Sequence, residues 1–361
     1  MTLKALGWLV GMIVGAGMFA LPYAVVRSGV FWGSVHFVLA ASLVTAGHLL
    51  YGSVCYRINE RHRLPGFVRE YLGKTWYAVA LVSRLFAYFG YQLAYGVLGG
   101  IFLMALFPDI SPALFTVGFF VLTSPLLYLN LKAAGTINLW FTVPIIFFVL
   151  VLFVVALPSL QMAPSLPTPS ANWFFPYGIF LFAFSGMSVI PDIVDLFGRK
   201  NPARFRKVVV LGTLIVAIIY ILFIASMVAL ADGFVSEDAI SSLSGWLVPL
   251  GALLGLFAIL TSYFALGIEL RLTFEYDMHI SRLLAWEAVV AVPLLLFLLG
   301  VSDFVAILSI VGAVGVGVEG VLVALLARST RVAGSLPAFA LSAVFVTGVA
   351  LELAYIAGIF S

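Results

Sequence analysis

Charge is scarce in this chain. Only 9% of its 361 residues are Asp, Glu, Lys or Arg, while 64% are apolar, and the mean hydropathy is +1.21. A soluble domain of this size would have to expose very large apolar patches, so a soluble enzyme or binding module is excluded. Cysteine is almost absent: Cys55 stands alone, cannot form an intrachain disulfide and is read as a small apolar filler. Histidine is rare and scattered. His36 and His48 are twelve residues apart, about 120° from a shared helical face, and His62 and His279 fall in loops, so no metal motif emerges. No H-E-x-x-H, phosphate-binding loop or G-x-S-x-G appears in a usable context, which argues against an intramembrane enzyme. Long polar segments are missing too. The first apolar stretch lacks a polar cleavage region and is read as a span rather than a signal peptide.

What is present is a series of apolar stretches. A membrane crossing takes about 20 mostly apolar residues. Eleven stretches qualify: 5–27, 30–56, 75–107, 112–130, 134–157, 174–197, 206–230, 246–270, 282–300, 303–327 and 336–360. The expected fold class is an all-α polytopic membrane protein, with residues 1–361 forming a single transmembrane domain. All but Arg27 of the 18 basic residues fall on one side of that alternation, including Arg57, Arg63, Lys132, Arg199, Lys200 and Arg328. The opposite loops carry Asp109, Asp232, Glu237, Asp238 and Asp303. Basic loops stay cytoplasmic, which predicts a cytoplasmic N-terminus and an external C-terminus. The same basic residues suit anionic lipid rather than nucleic acid. The proline-rich run 158–169 is expected to be an external connector between two halves.

Two of the stretches carry one pattern. GMFALP (Gly17 to Pro22) and GMSVIP (Gly186 to Pro191) each place Pro five residues after Gly and another Gly seven residues beyond it, at Gly29 and Gly198. Gly11, Gly15 and Ala16 precede the first copy, while Ala183, Ser185 and Ser188 surround the second. Glycine clusters ending in proline make a poor helix interior. Broken backbone at membrane depth is tolerated only inside protein or beside a water-filled cavity. Two breaks in corresponding positions predict inverted repeats, 5–157 and 174–327, with 336–360 as an extra helix and a solute bound where the breaks meet.

A broken helix exposes unpaired N–H groups and carbonyls. Its N-terminal end attracts a carboxylate and its carbonyl end an ammonium group or cation. The expected carboxylate donors are the amides of Gly15, Ala16 and Gly17. The expected ammonium acceptors are the carbonyls of Phe182, Ala183 and Ser185. An α-amino acid fits that pair of demands. Phe182, Phe184, Met187 and Leu266 would wall an apolar side-chain pocket, and no fixed charge is evident for a charged side chain, so the expected substrate is a neutral aliphatic or aromatic amino acid. Tyr88, Tyr91 and Tyr95 form one stripe on span 3. Ala258, Thr261 and Ser262 share a face of span 8, with hydroxyls that suit a small cation. Asp192 and Glu319 are candidate proton or gate residues, because an ionisable group at membrane depth is costly. Asp195 is expected to pair with Arg199, and Arg27 with Asp303 or with the interface. Glu287 and Glu352 are read as structural.

GMIVGAGMFALPYAV (Gly11 to Val25) resembles the first helix of the amino acid/auxin permease and hydroxy/aromatic amino acid permease families, members of the APC superfamily with a LeuT-like fold. The stretch from Phe182 to Gly198 and the following NPARFRKVVVLGT resemble their sixth helix and its exit. The resemblance implies a 5+5 inverted-repeat core with discontinuous helices 1 and 6, alternating access, and secondary active uptake of amino acids driven by an ion gradient. It implies a sodium site pairing Ala258, Thr261 and Ser262 with the carbonyls of Gly11 and Val14. It also implies that Tyr91 or Tyr95 supports the substrate carboxylate. Met18 stands where some relatives have an Asn, so at most one sodium ion is expected. Span 5 has no interior Lys, which favours sodium symport over the alternative of proton coupling. A nutrient-sensing receptor on the same scaffold is a further alternative. Sodium is expected as coupling ion, with no other cofactor. The expected location is a prokaryotic inner or plasma membrane.

Overall fold

The structure, a computed structural model, describes residues 1–58, 62–128, 134–160, 172–231 and 234–359, with side chains from 143 onward in the third segment. Most of the proline-rich connector, with Arg61, Lys132 and Asp232, lies outside the described residues. All regular structure among the described residues is helical. That is what a lipid solvent requires of a chain without a closed barrel, because each backbone polar group must be satisfied within its own segment.

The first span is two helices, α1 (Thr2–Ile13) and α2 (Gly17–Ser28), bent by 55° at the break. Val14 turns extended (φ −75°, ψ 91°) and ends α1. Then come α3 (Val30–Arg57), the short α4 (Leu64–Tyr71), α5 (Lys74–Leu106), α6 (Pro112–Leu127) and α7 (Ala134–Leu160). The sixth span is broken as well. Helix α8 (Pro176–Phe184) stops at extended Ser185 (φ −66°, ψ 133°), a single 3-10 turn covers Met187–Val189, and α9 (Ile190–Leu196) resumes. Pro191 sits in the first turn of α9, where its missing N–H removes no helical bond. The remaining helices are α10 (Pro202–Leu230), α11 (Leu247–Leu272), α12 (Arg282–Leu298), α13 (Phe304–Ile310), α14 (Gly317–Ser329) and α15 (Ser335–Ile356). A π-helical stretch, Val311–Val316, joins α13 to α14, and another, Thr273–Asp277, follows α11.

Among the described residues eight helices are long and apolar enough to cross a membrane, and the bent pair α1–α2 makes nine. The eleven expected crossings also need α6 and α12, which have only 16 and 17 residues.

The broken elements sit in the middle. Some 72% of the apolar window of Pro176–Leu196, and of Phe304–Ser329, is buried inside the protein, against 17% for α15. This is the burial that interrupted backbone needs. Helix α8 packs on α2, α3 and the 311–316 stretch; α10 packs on α1 and α7; α5 lies along α11 and α6. Glycine permits the closest of these approaches. A Cβ on Gly312 would lie 1.8 Å from the carbonyl oxygen of Gly178, so α8 and the π-helical stretch meet backbone to backbone.

Candidate functional site at the paired helix breaks

The two breaks lie against each other. A Cβ on Gly17 would lie 2.7 Å from Ala183 Cα. Beside this contact is a narrow cavity lined by Gly15, Ala16, Gly17, Tyr88, Tyr91, Tyr95, Phe182, Ser185, Met187, Leu266 and Glu319, together with Met12, Ile13, Gly186 and Ser188.

At the first break, the amides of Gly15, Ala16 and Gly17 donate to no acceptor among the described residues. The carbonyls of Gly11, Met12 and Val14 accept from no donor among them. Helix α2 starts here, with the partial positive charge of its N-terminus facing the cavity. The first bonds of α2 are short-range ones, from Met18 N–H to Gly15 O (3.2 Å) and from Phe19 N–H to Ala16 O (3.2 Å).

The second break is furnished by the protein. Gly186 N–H donates to Nε2 of the fully buried His48 at 3.2 Å. An amide can only donate, so Nε2 is unprotonated and the imidazole proton is on Nδ1. Ser185 N–H donates to Phe182 O at 3.1 Å. The Tyr220 hydroxyl of α10 lies 2.8 Å from Ala183 O and 2.9 Å from Ile13 O, so its single proton is shared between the two breaks. The Ser188 carbonyl accepts from Arg63 at 3.2 Å.

The residues expected to bind sodium divide. Thr261 Oγ1 donates back to Ala258 O at 2.9 Å, as hydroxyls in membrane helices often do. Ser262 Oγ is buried and makes no hydrogen bond within normal geometric limits among the described residues, with the Tyr95 hydroxyl as its polar neighbour. It faces the first break: a Cβ on Gly15 would lie 3.1 Å from Ser262 Oγ and 3.8 Å from the Tyr95 hydroxyl oxygen. A hydroxyl beside Gly15, in a break whose Gly11 and Val14 carbonyls have no donor among the described residues, offers oxygens of the kind a small hard cation takes.

On the side of the cavity away from Ser262 lies a charged cluster. Arg63 pairs with Asp192 of α9 at 3.0 Å and lies 3.8 Å from Glu269 of α11. Arg84 of α5 pairs with Glu269 at 2.5 Å, donates to Thr273 Oγ1 at 3.3 Å and lies over the Tyr88 ring, 4.6 Å from its centroid. A second cavity of about 210 Å³ is lined by Tyr51, Arg63, Arg84, Glu269 and Glu319, among others. Glu319 therefore lines both cavities.

Most expected substrate residues thus face one cavity: Gly15, Ala16, Gly17, Tyr91, Tyr95, Phe182, Ser185, Met187 and Leu266. Two do not line it. Ala183 packs against Gly17 and its carbonyl is held by Tyr220. Phe184 is fully buried on the opposite face of α8, ring to ring with Phe37 and Tyr220. Asp192 is an ion-pair partner away from the cavity. Asp195 pairs with Arg199 at 2.9 Å, as expected. Arg27 lies over the Tyr23 ring at 5.9 Å and Asp303 caps α13 through Ala306 N–H, so the two do not pair. Cys55 is fully buried, Glu287 is exposed, and Glu352 is buried with Ser309 as partner. Sequence reasoning missed His48, Tyr220, Arg63, Arg84 and Glu269. The available signal was the same for each, a polar or charged group in or beside an apolar span, which must find a partner.

The model of the tryptophan/tyrosine permease family matches residues 2–343. The chain belongs to the tryptophan/tyrosine permease family. The broader resemblance to amino acid/auxin and hydroxy/aromatic permeases narrows to this family. Low affinity tryptophan permeases of Escherichia coli O157:H7 and of Escherichia coli strain K12 are 24% and 25% identical to it over 233 residues. That is 60% of this chain, and the match spans about half, 55%, of the length of these curated relatives. Among solved structures, MhsT in complex with L-phenylalanine superposes with a TM-score of 0.71 at 15% identity, covering 97% of both chains. Mhp1, a nucleobase-cation-symport-1 family transporter in a closed conformation with bromovinylhydantoin bound, gives 0.66 at 14% identity over 97% of this chain and 89% of its own. The fold of this family member is therefore that of LeuT-like transporters, and it is an integral membrane protein.

Proposed function

We propose that the chain is a secondary active transporter of neutral aromatic amino acids, working by alternating access as a sodium symporter in a bacterial inner membrane. The observation that carries this reading is the first break. Its three unspent amides face a cavity whose other walls are mostly aromatic and apolar, with Glu319 and Ser185 as polar exceptions. The amides of Gly15, Ala16 and Gly17 receive the substrate carboxylate, with the Tyr95 hydroxyl beside them. The carbonyls of Phe182 and Ser185 receive the ammonium group. Tyr91, Phe182, Met187 and Leu266 enclose the side chain. Sodium sits between α1 and α11, on the oxygens of Gly11, Val14, Ala258, Thr261 and Ser262, and steadies the break that binds substrate. The two halves, 5–157 and 174–327, act as inverted repeats, with α6 and α12 as short crossings and 336–360 as an added helix. The basic loops are cytoplasmic. Arg63, Asp192, Arg84 and Glu269 then close the cytoplasmic side. The family membership and the fold shared with MhsT and Mhp1 support the reading.

Uptake into liposomes, with sodium and pH gradients imposed separately, tests it. Sodium alone should drive accumulation of an aromatic amino acid. Ser262→Ala should abolish sodium stimulation, and Thr261→Ala should weaken it less, since the Thr261 hydroxyl is already committed to Ala258. Unchanged sodium dependence in Ser262→Ala would refute the site. Proton drive is the second reading, favoured by Glu319 facing the cavity with no salt bridge within 4 Å among the described residues. It predicts accumulation from a pH gradient alone.

A further inference from the structure

We propose that Glu319 recognises the substrate side chain. Its carboxyl group accepts the N–H or O–H at the tip of an aromatic amino acid and so selects indole and phenol over a plain phenyl ring. The proposal rests on the transport reading above and adds the residue that sets specificity at that site.

The charged cluster holds three carboxylates and two guanidinium groups. Asp192 and Glu269 have guanidinium partners within 4 Å. Glu319, only 6% exposed, has no ion pair within 4 Å and no hydrogen bond among the described residues, although Arg84 across the second cavity acts on it at longer range. Buried carboxyl groups are normally hydrogen-bonded. Whether ionised or neutral, this one keeps an oxygen free to accept, and that group lines the substrate cavity. Asp192 and Glu269 do not.

Its position suits the far end of the substrate rather than the α-amino end. The first break is marked by Tyr95, close to Gly15 and Ser262. Glu319 is marked by the second cavity, which it shares with Arg84, itself stacked over Tyr88. Tyr88 and Tyr95 are seven residues apart on α5, about 10 Å along its axis. An aromatic amino acid held by its carboxylate at the break extends its ring along that stripe. Between the two ends the walls at Tyr91, Phe182, Met187 and Leu266 suit a flat apolar ring. The substrate ammonium group, one carbon from the carboxylate, stays at the break. A phenyl ring in this place would leave the Glu319 carboxyl group without a hydrogen-bond donor on the substrate side, whereas an indole N–H or phenol O–H supplies one.

Binding of tryptophan, tyrosine, phenylalanine and 1-methyltryptophan to the purified full chain tests the proposal. The unaltered chain should bind tryptophan and tyrosine about tenfold or more tighter than phenylalanine, and 1-methyltryptophan about tenfold weaker than tryptophan. Glu319→Gln keeps an accepting oxygen and should keep both preferences. Glu319→Leu should bring both ratios below about threefold while phenylalanine still binds. The unaltered chain binding all four alike would overturn the proposal without any variant having to fold. Glu319→Leu weakening every ligand equally would overturn it in favour of an ammonium contact. Binding none of the four would instead sink the transport reading and this proposal with it.

Discussion

The two helix breaks share a sequence signature and differ in chemistry. At the first, three amides and three carbonyls are left without partners among the described residues. At the second, neighbouring helices supply several of them: His48 takes the Gly186 amide, Tyr220 reaches the Ala183 carbonyl, and Arg63 takes the Ser188 carbonyl, while the Met187 and Ser188 amides and the Ser185 carbonyl have no partner among the described residues. An unsatisfied buried polar group costs about 1–3 kcal/mol. The protein has met more of that cost at the second break than at the first, where a ligand can meet it. The first break is the main receptor, and the second, apart from its open Ser185 carbonyl, is the wall that holds it in place. A repeated motif therefore locates two interruptions of the helix but does not assign them equal roles.

The sharpest way to break this comparison is to push the two apart. In Gly17→Ala the new methyl group would meet the Ala183 backbone at 2.7 Å, and backbone cannot step aside. We expect uptake to fall about 100-fold or more, with an overpacking cost of about 1–3 kcal/mol. In Gly186→Ala the nearest atoms, Ile13 Cγ1 at 2.8 Å and His48 Cε1 at 3.4 Å, are side chains that can shift. Loss there should stay within about tenfold. Equal losses in the two variants would erase the distinction between receptor and wall.

Next in size is the link between the breaks. Tyr220→Phe removes the single O–H proton that Ile13 O and Ala183 O share. It should destabilise the folded chain by about 1–3 kcal/mol, read by thermal unfolding in detergent. A variant as stable as the original would mean that the two carbonyls find another donor. His48→Leu removes the acceptor of the Gly186 amide and should cost about 1 kcal/mol, whereas His48→Gln retains an accepting oxygen and should recover most of it. Parallel behaviour of the two His48 variants in the same melts would show that packing, not the hydrogen bond, is the contribution. The smallest effect belongs to Arg27→Ala. With only an exposed contact over Tyr23 to lose, it should change stability by about 0.5–1 kcal/mol at most and leave uptake unaltered.

The interruptions were legible because glycine and proline act locally. Val14, Gly15 and Ser185 depart from helix where the composition says they must. Most of the cavity was legible for the same reason, since residues beside a break share its exposure. The partners were not. His48 meets Gly186 across 138 positions and Tyr220 meets Ile13 across 207, and no local pattern encodes such pairings. Nor could spacing separate neighbours. Phe182 lines the cavity while Phe184, two residues on, faces the other way. Thr261 bonds back to its own helix while Ser262 does not. Each of those outcomes is decided by a rotation of roughly 100–200° about a helix axis whose phase depends on the neighbouring helices.

Cys55, the sequence's single thiol, is fully buried in α3. Thiol-directed probes should pass over it, so the unmodified chain can serve as its own blank. Cysteines introduced in pairs across α2 and α8, or α1 and α11, could carry spin labels or fluorophores without first stripping out native sites. Distances between these helices could then be followed as sodium or an amino acid is added.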